Sequence, residues 1–302
     1  MIEAIRTDTG DTTEGTGTAA AAPAHTADEV LRVLDPVAVE DAIRKAAAAE
    51  IMPRFRQLAA HEVLEKNGPH DLVTVADRLA EERLTADLTS LLPGSLVVGE
   101  EAVHADPAVL DALAGDAPVW IVDPVDGTRQ FVHGDPGFAT LVTLALRGEL
   151  LASWTYAPAL DLMATARRGA GAELNGEPLR PAGPPAAGAV LDVAISHYDF
   201  TTDEQKRVLA ALETDGIAPR PCGSAGLEYL HIARGELDAV AFSWENSWDH
   251  AAGLLLVHET GGANGTVAGE PFRITGGNAL PFTAARDEET ARRILGLLAA
   301  AN

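Results

Sequence analysis

Residues 119–128, "VWIVDPVDGT", run four apolar side chains straight into Asp123 and then Asp126. A short apolar run bounded by turn residues reads as a buried strand. A fold that buries residues 119–122 therefore carries two acids to the end of a core strand. Asp, Pro and Gly are ordinary turn formers, so a plain strand-ending turn accounts for this stretch as well as a functional site does. Two other stretches break that balance. "SLVVGEE" (95–101) is a second apolar run, and it ends in Glu100 and Glu101. Asp249 follows Trp248 where a helix is expected to open. Singly, Glu100–Glu101 is a solvated pair and Asp249 a helix N-cap. Together they place acids at neighbouring element ends, where layered α/β proteins build their sites.

Carboxylates brought together repel one another and stay ionised only with cations between them. All-oxygen donors suit Mg²⁺ or Mn²⁺, whereas zinc sites usually include His or Cys. Two carboxylates separated by two residues in a turn can aim at adjacent metals, with the first bridging both ions and backbone carbonyls filling other positions. Gly127-Thr128 adds an anion site if a helix begins there, because its first backbone N–H groups have no intrahelical partner. Metal carboxylates beside phosphate-binding amides describe a phosphate-ester site. Covalent catalysis through an aspartyl nucleophile of the Asp-x-Asp-x-Thr type is excluded, since two residues rather than one separate Asp123 from Asp126.

Charge bounds the partners. The 302-residue chain carries a formal net charge of -23, with lysine only at positions 45, 66 and 206. Such a field repels nucleic acid and anionic lipid, and a phosphorylated substrate would be repelled too unless metal ions neutralise the site. With 47% hydrophobic and 22% charged residues the composition is that of a globular, water-soluble protein. No apolar stretch approaches the ~20 residues of a membrane span, and the N-terminus lacks the pattern of a signal peptide. Cys222 is the lone cysteine, which forbids an intrachain disulfide and fits a cytoplasmic location.

Residues 1–34, rich in Thr, Gly, Ala and Asp, read as a disordered tail. Asp35-Pro36 then opens a helix whose buried face is Ile43, Ala47, Ile51, Phe55 and Leu58, with a kink at Pro53. A second helix is expected over 78–92, where Asp77 is its N-cap, ended by Pro93-Gly94. Strands at 139–146 and 150–156 flank Arg147-Gly148 as a hairpin, and 162–168 with Asn175-Gly176 suggests another. "PAGPPAAGA" (181–189) marks a boundary between halves at 35–184 and 185–302. Beyond it come a strand (190–196), helices in "TDEQKRVLAALE" and "SAGLEYLHIARG", a strand (237–243), a helix from Asp249 to Gly261-Gly262, and a last helix over 287–300. Helices and strands mix throughout, which predicts a layered α/β fold.

In order and spacing, "DLVTVAD" (71–77), "GEE" (99–101), "WIVDPVDGTRQFVHG" (120–134), "GSAGLEYLHIARGELDA" (223–239) and "WDHAAGLLLVHETGG" (248–262) resemble the inositol monophosphatase family. The resemblance spans about residues 36 to 300. It implies an αβαβα sandwich shared with fructose bisphosphatases, and Mg²⁺-dependent hydrolysis of a small phosphomonoester: an inositol, sugar or polyol phosphate, or histidinol phosphate. Glu100, Asp123 and the Val125 carbonyl resemble the ligands of a first metal; Asp123, Asp126 and Asp249 resemble those of a second; a third, weaker ion would lean on Glu100. Thr128, paired with Asp77, resembles the hydroxyl that activates water. The Gly127 and Thr128 amides would hold phosphate, Ser224 and Ala225 would meet substrate hydroxyls, and Lys66 would assist from a mobile loop. Inhibition by Li⁺ and a homodimer are implied as well. The sequence departs from the family at two places. Arg129-Gln130 replaces a small residue and Asn, and Arg129 is expected to face solvent. The family's substrate-facing acid falls on Phe242, for which Glu245 is the expected substitute. A regulatory binding protein that keeps the fold with minor catalysis is the contrasting expectation.

Overall fold

The computed structural model describes residues 25–302 apart from 69, 70 and 182. The described residues open with helix α1 (Ala27–Val33), where Thr26 and Glu29 form a capping box and Val30 and Leu31 are buried. The expected tail is thereby corrected over its last residues: two apolar side chains on one face suffice to dock a short capped helix. Residues 1–24 lie outside the described set.

Helix α2 (Pro36–Ala46) is capped by Asp35, whose carboxylate accepts the Val37 and Ala38 amides. One turn with π-type bonding follows over Ala47–Ile51, and the Met52 N–H reaches back to Ala47 O at 2.9 Å. Pro53 ends the helix here rather than kinking it, because it supplies no N–H to continue the ladder and its ring crowds the preceding turn. A hairpin of β1 (Val63–Gly68) and β2 (Asp71–Thr74) leads into α3 (Val75–Leu91). Helix α3 starts three residues before the expected position, because Thr74 is its N-cap.

Next come β3 (Leu96–Gly99), α4 (Glu100–Ala105), β4 (Pro118–Asp126), α5 (Thr128–Val132), β5 (Ala139–Leu146), β6 (Glu149–Ala157), β7 (Leu162–Arg167), β8 (Gly171–Leu174) and β9 (Glu177–Pro178). Strands β3 to β9 form a seven-stranded sheet in sequence order. The β5–β6 turn at Arg147-Gly148 has positive φ at both residues, 51° and 76°, as a two-residue hairpin loop demands. All nine residues of β4 are buried. The two faces of that strand enter different cores: Trp120 and Val122 pack with Ile43, Leu84 and Leu88, while Val119 and Ile121 pack with Tyr229, Leu254 and Val240. An unbroken apolar run is what a strand covered on both sides requires.

The second sheet follows: β10 (Leu191–Ile195), α6 (Asp203–Leu209), β11 (Ile217–Pro221), α7 (Ala225–Ala233), β12 (Ala239–Phe242), α8 (Ser247–Glu259), β13 (Ala263–Thr266), β14 (Phe282–Ala285) and α9 (Glu288–Ala301). Its order is β11-β10-β12-β14-β13. β11 carries Pro219 and Pro221, which no hydrophobic period would mark as a strand; it is tolerated because it lies at the sheet edge. Helices α2 and α3 cover the outer face of the first sheet, α7 and α8 fill the space between sheets, and α6 and α9 cover the outer face of the second. The result is the expected five-layer αβαβα sandwich. Among the described residues no helix is long and apolar enough to cross a membrane.

Candidate functional site

The two acids of β4 meet because the strand is irregular. On a regular strand, side chains three apart point to opposite faces. Here Asp123 pairs with Leu141 and Asp126 with Ala139, so three steps along β4 match two along β5. That extra residue is a β-bulge, a device that re-aims side chains beside sites. The Thr140 hydroxyl pins it by donating to Pro124 O at 2.8 Å. Asp123 Oδ1 accepts the Val125 amide at 3.1 Å. The bulge and the approach of α8 bring one carboxylate oxygen each from Asp123, Asp126 and Asp249 within 4.8 Å of one another.

The acids differ in how they are held. The Asp126 carboxylate accepts the Ser224 hydroxyl, the Ala225 amide at 3.1 Å and the Gly226 amide at 2.7 Å, all at the start of α7. Burial raises its pKa to about 6, and those donors restrain the rise. Asp123 and Asp249 sit well above the usual carboxylate range. Burial is the main cause for both, followed by the charge of Glu100 for Asp123 and of Asp126 for Asp249. Asp249 is the third residue of α8 rather than its N-cap, and the Trp244 Nε1–H donates to its Oδ2 at 2.8 Å. Glu100 opens α4 instead of ending a strand, and it faces the same cavity.

Asp77 is likewise not an N-cap. It is the third residue of α3, with Oδ2 accepting both the amide and the hydroxyl of Thr74. Its other oxygen lies 3.3 Å from Thr128 Oγ1, which also lies 3.0 Å from Val125 O. Burial, then the Glu100 charge, pushes Asp77 up to about 7. Gly127 caps α5 with φ 87°, a left-handed conformation that favours glycine. A Cβ there would also stand 3.1 Å from Gly137 O and from Ser224 Cβ.

Glu81 was not anticipated. Its carboxylate accepts the Glu101 and Ala102 amides at 2.9 and 2.8 Å, capping α4 and so orienting Glu100. Gly99 makes room for it, since a Cβ there would overlap the Glu81 carboxylate. Burial pushes Glu81 up to about 7 as well. The signal was present: Glu81 lies four residues after Asp77, on the same helix face.

A cavity of about 350 Å³ opens over the acids, lined by Glu100, Asp126, Asp249, Gly127 and Thr128. Arg129, Gln130, His197, Phe200, Trp244 and Asn246 line it as well. Four expectations need correction there. Arg129 does not simply face solvent: its Nη1–H donates to Asp199 Oδ2 at 2.7 Å and lies 3.3 Å from His197 Nε2. Phe242 is fully buried and faces no substrate; its ring packs 4.3 Å from that of Trp244. Glu245 does not replace a substrate-facing acid, because it turns away to accept the Asn278 backbone and side-chain N–H groups, both at 2.9 Å. The Ser224 hydroxyl and Ala225 amide are spent on Asp126, although Ala225 still lines the cavity. Lys66 lies on β1, a strand and not a loop; its side chain is outside the described residues. His250, beside Asp249, is buried with its ring nitrogens 3.0 Å from the Tyr229 hydroxyl and 3.1 Å from Trp244 O. Burial pushes it down to about 3, so it is neutral.

Comparison with known proteins agrees with this geometry. The profile of the inositol monophosphatase family matches residues 31–299. The chain is 33% identical over 240 residues to the inositol-1-monophosphatase of Bacillus subtilis, covering 77% of this chain and 87% of that one. It is 34% identical over 246 residues to Nus factor SuhB of Pseudomonas aeruginosa, covering 76% and 88%. The solved structure of a Thermotoga maritima IMPase superposes with a TM-score of 0.70 at 25% identity, covering 88% of this chain and 96% of that one. An acid cluster on a bulged strand end, a glycine-started helix beside it and a profile match over most of its length together mean that this chain belongs to the inositol monophosphatase family.

Proposed function

We propose that this protein is a Mg²⁺-dependent phosphoric monoester hydrolase acting on a small phosphorylated alcohol, such as an inositol, sugar or polyol phosphate. The observation that carries the reading is the convergence of Asp123, Asp126 and Asp249 within 4.8 Å, beside a cavity lined by Asp126, Asp249 and the start of α5. The donor set fits a divalent cation: it is all oxygen, and burial, then the charge of neighbouring acids, makes Asp123 and Asp249 hold their protons tightly. When bound there, divalent ions supply Lewis acidity and neutralise the phosphate charge. Mn²⁺ suits the same donors.

In this reading Asp123, Glu100 and the Val125 carbonyl would hold one ion, Asp123, Asp126 and Asp249 a second, and Glu100 would support a third. Bulge and α7 amides fix these groups before substrate arrives, so positioning supplies much of the rate. Asp77 Oδ1 and the Thr128 hydroxyl form the proton path: with its pKa near 7, Asp77 accepts through Thr128 the proton of the attacking water. The Gly127 and Thr128 amides face the phosphate. The B. subtilis relative's name supports the chemistry, and the proposal extends to a cytoplasmic homodimer.

The test is phosphate release over a panel of phosphomonoesters, histidinol phosphate included, with and without Mg²⁺. Release that requires Mg²⁺ is expected; none from any ester sinks the proposal. Millimolar Li⁺ should suppress that release, and undiminished turnover would count against a family-type site. The name of the P. aeruginosa relative, a Nus factor, favours a second reading as a regulatory binding protein. A cellular role that survives Asp123→Asn would support it.

A further inference from the structure

Gln130, the third residue of α5, lines the cavity and has no part in the proposed mechanism. Its Oε1 is buried and has no hydrogen-bond partner. A buried acceptor without a donor opposes folding, so such an orphan in a cavity wall calls for a reason. Glycines make room for this side chain. A Cβ on Gly127 would stand 3.4 Å from its Oε1, one on Gly223 3.0 Å from its Nε2, and one on Gly137 3.9 Å from its Cγ. Gly127 and Gly223 line the same cavity. The carboxamide therefore lies between the start of α5, whose amides would hold phosphate, and the turn that leads through Ser224 into α7. Neighbouring polar side chains are already engaged. The Thr128 hydroxyl lies beside Asp77 and Val125 O, Arg129 donates to Asp199, and the Trp244 indole N–H donates to Asp249.

A glutamine carboxamide carries an acceptor oxygen and a donor nitrogen. Its last torsion is broad and roughly two-fold, so a half turn exchanges the two atoms at little cost. A hydroxyl that enters the cavity beside the phosphate can then donate to Oε1, and the orphan gains the partner it lacks. An alcohol without that hydroxyl leaves the orphan in place. Because Gln130 adjoins the phosphate-binding turn, the hydroxyl within its reach is one close to the ester. We infer that Gln130 is a specificity-determining residue, and that it accepts a hydrogen bond from a substrate hydroxyl on the carbon next to the phosphate ester. The inference rests on the phosphomonoesterase reading and adds to it one substrate feature and the residue that reads it.

Two esters that differ in a single donor test this: 2-hydroxycyclohexyl phosphate and 2-fluorocyclohexyl phosphate, each as cis and trans isomers, assayed with Mg²⁺ on the full chain. Fluorine is close to hydroxyl in size, cannot donate and gives the better leaving group, so intrinsic reactivity runs against the expected preference. In at least one isomer pair kcat/KM should favour the hydroxyl ester by on the order of tenfold. Gln130→Leu, which cannot accept, should bring that ratio to one or below. It also removes a buried orphan, so it should melt no lower than wild type; Gln130→Met takes its place if it does not fold. Gln130→Glu keeps an acceptor at the same length and should keep the ratio, since its charge opposes both phosphates alike. No hydroxyl preference in either isomer pair overturns the inference. A preference that survives Gln130→Leu overturns it too, because another group would then be the acceptor. Loss of the preference in both the Leu and the Glu variants means that Gln130 only packs the wall. All three results leave the phosphatase reading intact, whereas no release from these esters or from the wider panel overturns that reading itself.

Discussion

In the acid cluster Asp123 and Asp126 are 2% and 5% exposed, and the hydrogen bonds that Asp126 accepts come from the start of α7. At the rim Phe200 is 54% exposed and Arg129 meets Asp199. The acid cluster is over-determined by backbone: a bulge, a left-handed glycine and two helix starts converge on it. The rim at Phe200 hangs on side chains in a short turn. Chemistry is thus tied to the core of the fold, whereas the rim can vary without disturbing it.

Asp123→Asn probes the contrast most severely. It should lower kcat/KM by on the order of 10³-fold or more. Because it also removes a buried charge, the metal-free protein should melt no lower than wild type. Activity within tenfold of wild type would mean that the acid cluster is not the reacting centre.

Gly99→Ala comes next. A methyl group there overlaps the Glu81 carboxylate, so either Glu81 leaves α4 or β3 shifts. Denaturant titration should show a loss of about 1–3 kcal/mol, with a higher Mg²⁺ requirement as Glu100 loses its orientation. An unchanged Mg²⁺ dependence would uncouple Glu81 from the site.

The pH dependence of metal-free stability is a smaller, distributed effect. Asp77 and Glu81 rise to about 7 and Asp126 to about 6, from ordinary values of 3.8, 4.5 and 3.8. Between those limits the folded state binds more protons than the unfolded, so stability present below the ordinary values is lost as pH rises toward 7. Buried His250, lowered from 6.5 to about 3, acts with the opposite sign: its contribution is full above 6.5 and is lost as pH falls toward 3. The acids outnumber it, so the melting temperature without metal should fall from pH 5 to pH 7.5, and saturating Mg²⁺ should flatten the slope. A flat profile without metal would show that the acids are already compensated.

The least effect on stability is expected at the rim. Phe200→Ala should change the unfolding free energy by no more than about 0.5 kcal/mol. A larger loss would make Phe200 part of the fold and erase the distinction between cluster and rim.

The legibility of cluster and rim in the sequence follows the same division. Asp123, Asp126, Gly127, Thr128 and Asp249 stand out because local rules mark them: an apolar run that ends in acids, a glycine before a helix, an acid in a first helical turn. A layered α/β arrangement was legible for a related reason, since most helices and strands carry their own period; the five-layer order came from the family resemblance. Glu245 and Phe242 were misplaced because spacing along a chain does not say which way a side chain turns in a loop packed by distant partners, here Asn278 and the rings around His250. β11 was missed because its prolines hide any strand period.

By itself, then, the sequence determined that an apolar run ends in acids beside a glycine where a helix can begin, because these signals are local to the chain. Only the tertiary structure decided that Asp123 and Asp126 point to one place, since strand periodicity alone would send them to opposite faces and the bulge opposite β5 reverses that. It also decided that Trp244 lines the cavity while Phe242 lies beneath it, because that depends on how α8 seats against the second sheet, a contact between residues far apart in the chain.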